Sequence, residues 1–165
     1  MELMGPLFRR ASQLFEEYVP DRFMAQRKEA ASTHPEWVIP GTVFTTVTVN
    51  NTYATGMHLD KGDLGVGFSV LAVTRKGKFT GGHLTFPEFR VSVDMQDGDL
   101  IFMDAHGAWH SNTPIVCECG HTLSQGPCKE CGAERISTVM YFREKMTACG
   151  THDEEYAKRL QKIEV

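Results

Sequence analysis

Residues 7–18 place Leu7, Phe8, Ala11, Leu14, Phe15 and Tyr18 on one face of a helix. Pro20 ends that helix, and a second helical stretch is predicted over 21–31. "THPEWVIPG", with two prolines and a glycine, reads as a loop. From residue 42 the texture changes. "TVFTTVTVN" is β-branched and alternates, which predicts a strand over 42–50. Further strands are predicted over 53–60, 66–74, 83–86, 89–94, 99–104, 109–116 and 135–142. Gly81-Gly82 and the "QDGD" turn at 96–99 separate some of them. Short strands with turn signals between them predict a mainly β fold with flanking helices, a barrel or jelly roll. The chain then returns to helix in "THDEEYAKRLQKI", where Thr151 and Glu154 have the spacing of a capping box. The expected layout over 1–165 is a single domain. It has a helical segment at 1–41, a β core at 42–146 and a C-terminal helix at 151–165.

Composition narrows the possibilities. A chain of 165 residues, 41% apolar and 23% charged, suits one compact globular domain. No apolar run approaches the ~20 residues of a membrane span. Arg9, Arg10, Glu16 and Glu17 interrupt any apolar stretch of a signal peptide. The expectation is therefore an intracellular monomer with no membrane partner. A net charge of −4 argues against a broad electrostatic nucleic-acid binder, though not against a local basic groove. Basic residues do cluster at Arg75, Lys76 and Lys78, and in the pairs Arg9/Arg10 and Arg27/Lys28.

Four of the five cysteines fall in "VCECGHTLSQGPCKECGAER". In a reducing compartment that crowding points to metal rather than disulfides. Cys117-x-Cys119 and Cys128-x-x-Cys131 offer four thiolates, the set that suits a tetrahedral structural Zn²⁺. Gly120 and Gly132 follow the second cysteine of each pair, as tight metal-binding turns require. His121 is an alternative ligand in place of Cys117. The segment interrupts the β pattern and reads as an inserted zinc knuckle over 117–131, and Cys149 as an ordinary free thiol.

The chemistry concentrates in "MHLDKGD", residues 57–63. Residues i and i+2 of a strand share a face, so His58 and Asp60 can grip one ion. Two histidines and one carboxylate hold Fe(II) and leave positions open for a cosubstrate and dioxygen. The second histidine must come from a later strand. His110 precedes "SNTPI" and opens a strand, whereas His106 sits in the turn beside Gly107, so His110 is better placed. Arg135 and Ser137 share a face of "RISTVMYF", where the arginine fork and a hydroxyl can grip a carboxylate together. Asn50, Asn51 and Tyr53 in "VNNTY" are candidates for the cosubstrate's other oxygens, or for a turn.

Taken in order, His-x-Asp, Gly-Gly-x-Leu-x-Phe-Pro, Gly-Asp-Leu, His-x-Asn-Thr-Pro and Arg-x-Ser over 42–146 resemble the TET/JBP family of Fe(II)/2-oxoglutarate dioxygenases. The compact phage and bacterial members are the most similar. That resemblance implies a double-stranded β-helix, with His58, Asp60 and His110 as the iron triad. It also implies Arg135 pairing with the 2-oxoglutarate carboxylate and Ser137 supporting it. Fe(II), 2-oxoglutarate and O₂ are the expected cofactors and cosubstrates, in a bacterial or phage-infected cell. The expected partner is DNA presenting a flipped or single-stranded methylated pyrimidine. 5-Methylcytosine is expected as the target base, with thymine as the alternative, and Lys61 and Asp63 as candidates to contact it. Prolyl-hydroxylase-like enzymes share the triad and the "GG…L…FP" hairpin and would act on a protein or small molecule. A binding module with a decayed site is the non-enzymatic alternative. One departure from the family is the 25-residue spacing of His110 and Arg135, which the cysteine segment explains.

Overall fold

The computed structural model describes residues 3–163, so the ends of the expected segments at 1–2 and 164–165 lie outside the described residues. Two helices, α1 (Gly5–Tyr18) and α2 (Pro20–Ser32), each begin at or beside a proline, which is pre-set for the first helical turn. Ten strands follow: β1 (Thr46–Asn51), β2 (Ser69–Lys76), β3 (Phe79–Gly81), β4 (Leu84–Phe86), β5 (Val91–Val93), β6 (Leu100–Met103), β7 (Ser111–Asn112), β8 (Ile115–Cys117), β9 (Thr122–Leu123) and β10 (Glu134–Tyr141). Helix α3 (His152–Ile163) closes the chain, with the predicted capping box formed in both directions. Thr151 N–H donates to Glu154 Oε2 at 2.8 Å, and Glu154 N–H to Thr151 Oγ1 at 3.2 Å.

The strands form an antiparallel sheet ordered β1-β10-β2-β6 and two small sheets, β5-β4-β7 and β3-β8-β9. Alternation along the strands assigns the faces of the large sheet. Val70, Ala72, Leu100, Phe102 and Met140 pack against α1 and α2 through Phe8, Phe15 and Phe23. Their neighbours Leu71, Val73, Ile101, Met103 and Val139 turn the other way and meet Leu84 and Phe86 of β4. Helices therefore cover one face, and the small sheets lie over the other, as in a double-stranded β-helix. Gln26, fully buried, ties the helices to the sheet. Its Nε2 donates to Val43 O at 2.9 Å and its Oε1 accepts from Phe68 N–H at 3.1 Å.

Several boundaries differ from the sequence pattern, each for a local reason. The predicted strand 42–50 begins only at Thr46, because Thr42 Oγ1 donates to Ile39 O and accepts from Phe44 N–H, making a turn. The predicted strand 53–60 does not form. Thr52 takes a left-handed conformation (φ 51°) that ends β1, and only His58 in that stretch makes a bridge, to His110. The predicted strand 109–116 divides into β7 and β8 at Thr113-Pro114, since proline has no N–H to continue the ladder. β3 and β9 go beyond the sequence pattern; both belong to the sheet that carries the cysteine segment.

Phe15 is fully buried, with its ring edge-on to Phe23 at 5.5 Å and stacked on Phe102 at 5.9 Å. Phe15→Ala is expected to cost about 3–5 kcal/mol, measured as a lower denaturant midpoint with an unchanged slope.

Candidate active site

The inner face of the large sheet carries a polar cavity of about 100 Å³. Thr48 and Asn50 of β1, Ser137, Val139 and Tyr141 of β10, Asn112 of β7, and His58, Asp60 and His110 line it. Two backbone bonds build its centre. His58 N–H donates to His110 O at 3.0 Å, and His110 N–H to His58 O at 3.1 Å. This bridge sets the imidazole rings 4.3 Å apart, centre to centre. Asp60 N–H donates to Ala105 O at 2.9 Å, which places the carboxylate beside both rings. Asp60 Oδ1 lies 3.5 Å from His58 Nε2, and Oδ2 lies 3.7 Å from His110 Nε2.

The tautomers follow from the outer hydrogen bonds. His58 Nδ1 is 2.8 Å from Gly56 O, and His110 Nδ1 is 2.9 Å from Ala108 O. A carbonyl only accepts, so each Nδ1 carries a proton, and each Nε2 is the ring atom turned toward Asp60. Ligand atoms of His58, Asp60 and His110 all lie within 4.8 Å of one another. Two imidazoles and one carboxylate converging in this way are the donor set that suits a divalent iron site. His106 stands outside it, its Nδ1 2.9 Å from Asp63 O. His110 is buried, whereas the side chains of His58 and Asp60 are about a third exposed (35% and 36%), so the cluster opens to solvent on their side.

Arg135 lies on β10 two residues before Ser137, on the same face, and is buried. Its Nη2 has no hydrogen-bond partner among the described residues. A buried, unpaired guanidinium N–H fits an anionic ligand group. Gly82 makes the space: in its left-handed conformation (φ 69°), a Cβ would come 2.8 Å from Arg135 Cδ. Asn112 Nδ2, in the cavity wall, is also buried without a partner among the described residues.

A second arginine faces Arg135 across the sheet. Arg75 is its register partner on β2. Arg75 Nη1 bonds Asp94 Oδ1 and Met95 O, each at 3.1 Å, and its guanidinium covers the Phe79 ring at 4.4 Å. Burial lowers the Arg135 pKa and Arg75 adds to the effect, while Asp94 opposes it. Of the predicted basic cluster, Arg75 is thus turned inward and only Lys76 and Lys78 are left at the surface.

Other predicted residues fall elsewhere. Asn51 pairs in register with Ile136, on the opposite face from Asn50 and Ser137. Its Nδ2 donates to Glu134 Oε1 at 2.7 Å. Tyr53 is exposed and does not line the cavity, whereas Asn50 does. Lys61 is exposed. Asp63, by contrast, does line the cavity; it is buried and accepts from Ser69 Oγ at 2.7 Å, and burial pushes its carboxyl up to about 6. Thr48, Thr55, Asn112 and Tyr141 were not singled out from sequence. Tyr141 could have been found by strand parity, since it lies four residues beyond Ser137.

The cysteines also converge. One sulfur from each of Cys117, Cys119, Cys128 and Cys131 lies within 4.8 Å of the others. Cys117 belongs to the group, and His121 remains at its margin, its Nδ1 3.9 Å from Cys128 Sγ.

A triad of two histidines and one carboxylate inside a double-stranded β-helix is the constellation of the non-haem iron oxygenases. Within that class, residues 1–144 match Tet_JBP, the oxygenase domain of the 2OGFeDO superfamily, and the chain belongs to this family. Thymine dioxygenase JBP1 of Leishmania braziliensis is 35% identical over 160 residues, covering 95% of this chain and 18% of the relative. Bifunctional helicase and thymine dioxygenase JBP2 of Trypanosoma brucei brucei is 34% identical over 139 residues, covering 84% of this chain and 11% of the relative. The chain thus spans less than a fifth of the length of these curated relatives. A solved structure, NgTET1 in complex with 5mC DNA, shares the fold with a TM-score of 0.68 at 14% identity, covering 95% of this chain and 56% of that one. No helix among the described residues is long and apolar enough to cross a membrane.

Proposed function

We propose that this chain uses Fe(II) and 2-oxoglutarate to oxidise the 5-methyl group of a pyrimidine in DNA, with thymine the favoured base. The observation that carries the reading is the pairing of the two features above. Three possible ligand atoms converge with both imidazole Nε2 atoms turned inward, and a buried arginine N–H without a partner among the described residues lies on the same sheet face. His58, Asp60 and His110 would hold the iron. Bound there with 2-oxoglutarate and O₂, iron supplies the oxidising power for a methyl C–H bond, with succinate and CO₂ as co-products. Arg135 would take the far carboxylate of the cosubstrate, with Ser137 as a further donor, and the unpaired Asn112 Nδ2 would donate to one of its oxygens.

The cavity, about 100 Å³, opens to solvent on the side of His58 and Asp60, and the target base would approach from there. A methyl group on a stacked base cannot reach that depth, so a duplex substrate requires flipping, at a cost of a few kcal/mol. Tyr141 offers an aromatic surface in the cavity wall. Lys61 and Arg143, whose guanidinium lies beside Gly62, supply positive charge for phosphates near that entrance.

Thymine is favoured because the relatives named thymine dioxygenases are 35% and 34% identical to this chain, whereas the likeness to the 5mC–DNA complex is one of fold at 14% identity. That complex is the specific support for 5-methylcytosine as the second reading. Incubation with DNA containing both bases, followed by nucleoside digestion and mass spectrometry, is expected to yield 5-hydroxymethyluracil. 5-Hydroxymethylcytosine alone would select the second reading, and neither product would remove both.

His110→Ala is expected to abolish iron-dependent succinate formation while leaving the circular dichroism spectrum intact. Arg135→Met removes a charge-assisted contact and should raise KM for 2-oxoglutarate on the order of 10- to 100-fold. Neutralising the partners of Arg135 should act in opposite directions. Asp94→Asn lowers that KM and Arg75→Gln raises it, each by about two- to fivefold, because Asp94 is half exposed and its charge is screened.

A further inference from the structure

We propose that Cys117, Cys119, Cys128 and Cys131 bind one Zn²⁺, and that this ion fixes the end of β10 from which Arg135 projects. The second half rests on the reading of Arg135 as the cosubstrate anchor; the first half stands by itself.

The metal site is argued from geometry. All four sulfurs come together, and Cys117 Sγ and Cys128 Sγ are 3.6 Å apart. Two tight turns present them. Gly120 N–H donates to Cys117 O and Gly132 N–H to Cys128 O, each at 2.9 Å, and both glycines are left-handed, at φ 80° and 69°. With four protein sulfurs and no open position, the set matches a structural zinc site and not a catalytic one. Burial of Cys117 and Cys128 among Ile115, Leu123 and Ala133 gives the site a small apolar base.

The coupling is argued from what the knuckle holds. Cys131 is four residues before Arg135. Cys128 N–H donates to Ala133 O at 2.9 Å, and Ala133 is fully buried against Gly77 at the end of β2. Gly126 N–H donates to Asn51 O at 3.1 Å, and Asn51 Nδ2 in turn holds Glu134. Thr52 then closes on Arg135 itself: its N–H donates to Arg135 O at 2.6 Å, and its Oγ1 accepts from Arg135 N–H at 3.2 Å. The loop between the two cysteine pairs is therefore bonded to the turn that clamps the Arg135 backbone. By contrast, none of these bonds reaches His58, Asp60 or His110. Loss of zinc should weaken cosubstrate binding and spare the iron ligands.

The test uses the full chain. Elemental analysis of the purified protein should find one zinc per chain, and cobalt substitution should give the visible spectrum of tetrahedral thiolate Co(II). A protein without stoichiometric zinc that also gives no such cobalt spectrum overturns the site. Cys119→Ser, at the exposed ligand, should lose the metal and raise KM for 2-oxoglutarate several-fold with little change in kcat. Cys119→His retains a ligand and should restore both zinc and KM, which a loss of folding would not explain. Zinc loss with KM unchanged overturns the coupling and leaves the site standing. A folded Cys119→Ser protein that keeps its zinc overturns the assignment of Cys119 as a ligand. If Arg135→Met also leaves KM unchanged, the cosubstrate reading has failed instead, while the zinc count still decides the metal site.

Discussion

The pair of backbone hydrogen bonds between His58 and His110 is the constraint on which the site depends. Neither residue lies in a named strand. The bridge nonetheless gives each a fixed backbone position, and the two rings follow. Each ring is then oriented by a carbonyl two residues earlier, Gly56 or Ala108, so the same short chain segment supplies both the ligand and the group that sets its tautomer. Asp60 joins through a third backbone bond, to Ala105. The ligand positions are thus held by main-chain contacts, which a change of surrounding side chains leaves in place.

β10 performs the complementary task. It is bonded on both sides, to β1 and β2, and is the most fully paired element of the fold. One parity of its residues faces the helices through Met140; the other presents Ser137, Val139 and Tyr141 to the cavity and carries Arg135 on the same face, outside the residues that line it. A shift of one residue in register would bury the wrong set, so the apolar packing of Met140 and the aim of Arg135 and Ser137 are specified together. The helices therefore contribute to the site indirectly: Phe15, Phe23 and Gln26 fix the sheet whose far face does the chemistry.

Much of this was legible in the sequence because the relevant signals are local. The helix pattern of 7–18, the capping box at Thr151 and Glu154, and the His-x-Asp and Arg-x-Ser pairs depend on spacing within a few residues. The choice of His110 over His106 was also legible, from its place before "SNTPI". What the sequence did not disclose depends on pairing. Asn50 and Asn51 look equivalent in a list of residues, and only the register opposite Ser137 sends one to the cavity and the other to Glu134. The stretch 53–60 has the composition of a strand, yet its partners are a single bridge and a loop. The cysteine segment reads as an autonomous insertion, but β8 pairs with β3 and Gly126 bonds Asn51, so it is stitched into the barrel end.

The break at Thr113-Pro114 has a consequence for how such a chain can diverge. It hands the polypeptide from the small sheet that follows the distal histidine to the one that carries the knuckle. His58, Asp60 and His110 all precede that point, so a change of length or composition after it leaves their spacing along the chain untouched. The same change lies within the segment that leads directly into Arg135 at the start of β10. Under the proposed roles, alteration of the knuckle would act on the hold for the cosubstrate and not on the groups around the iron.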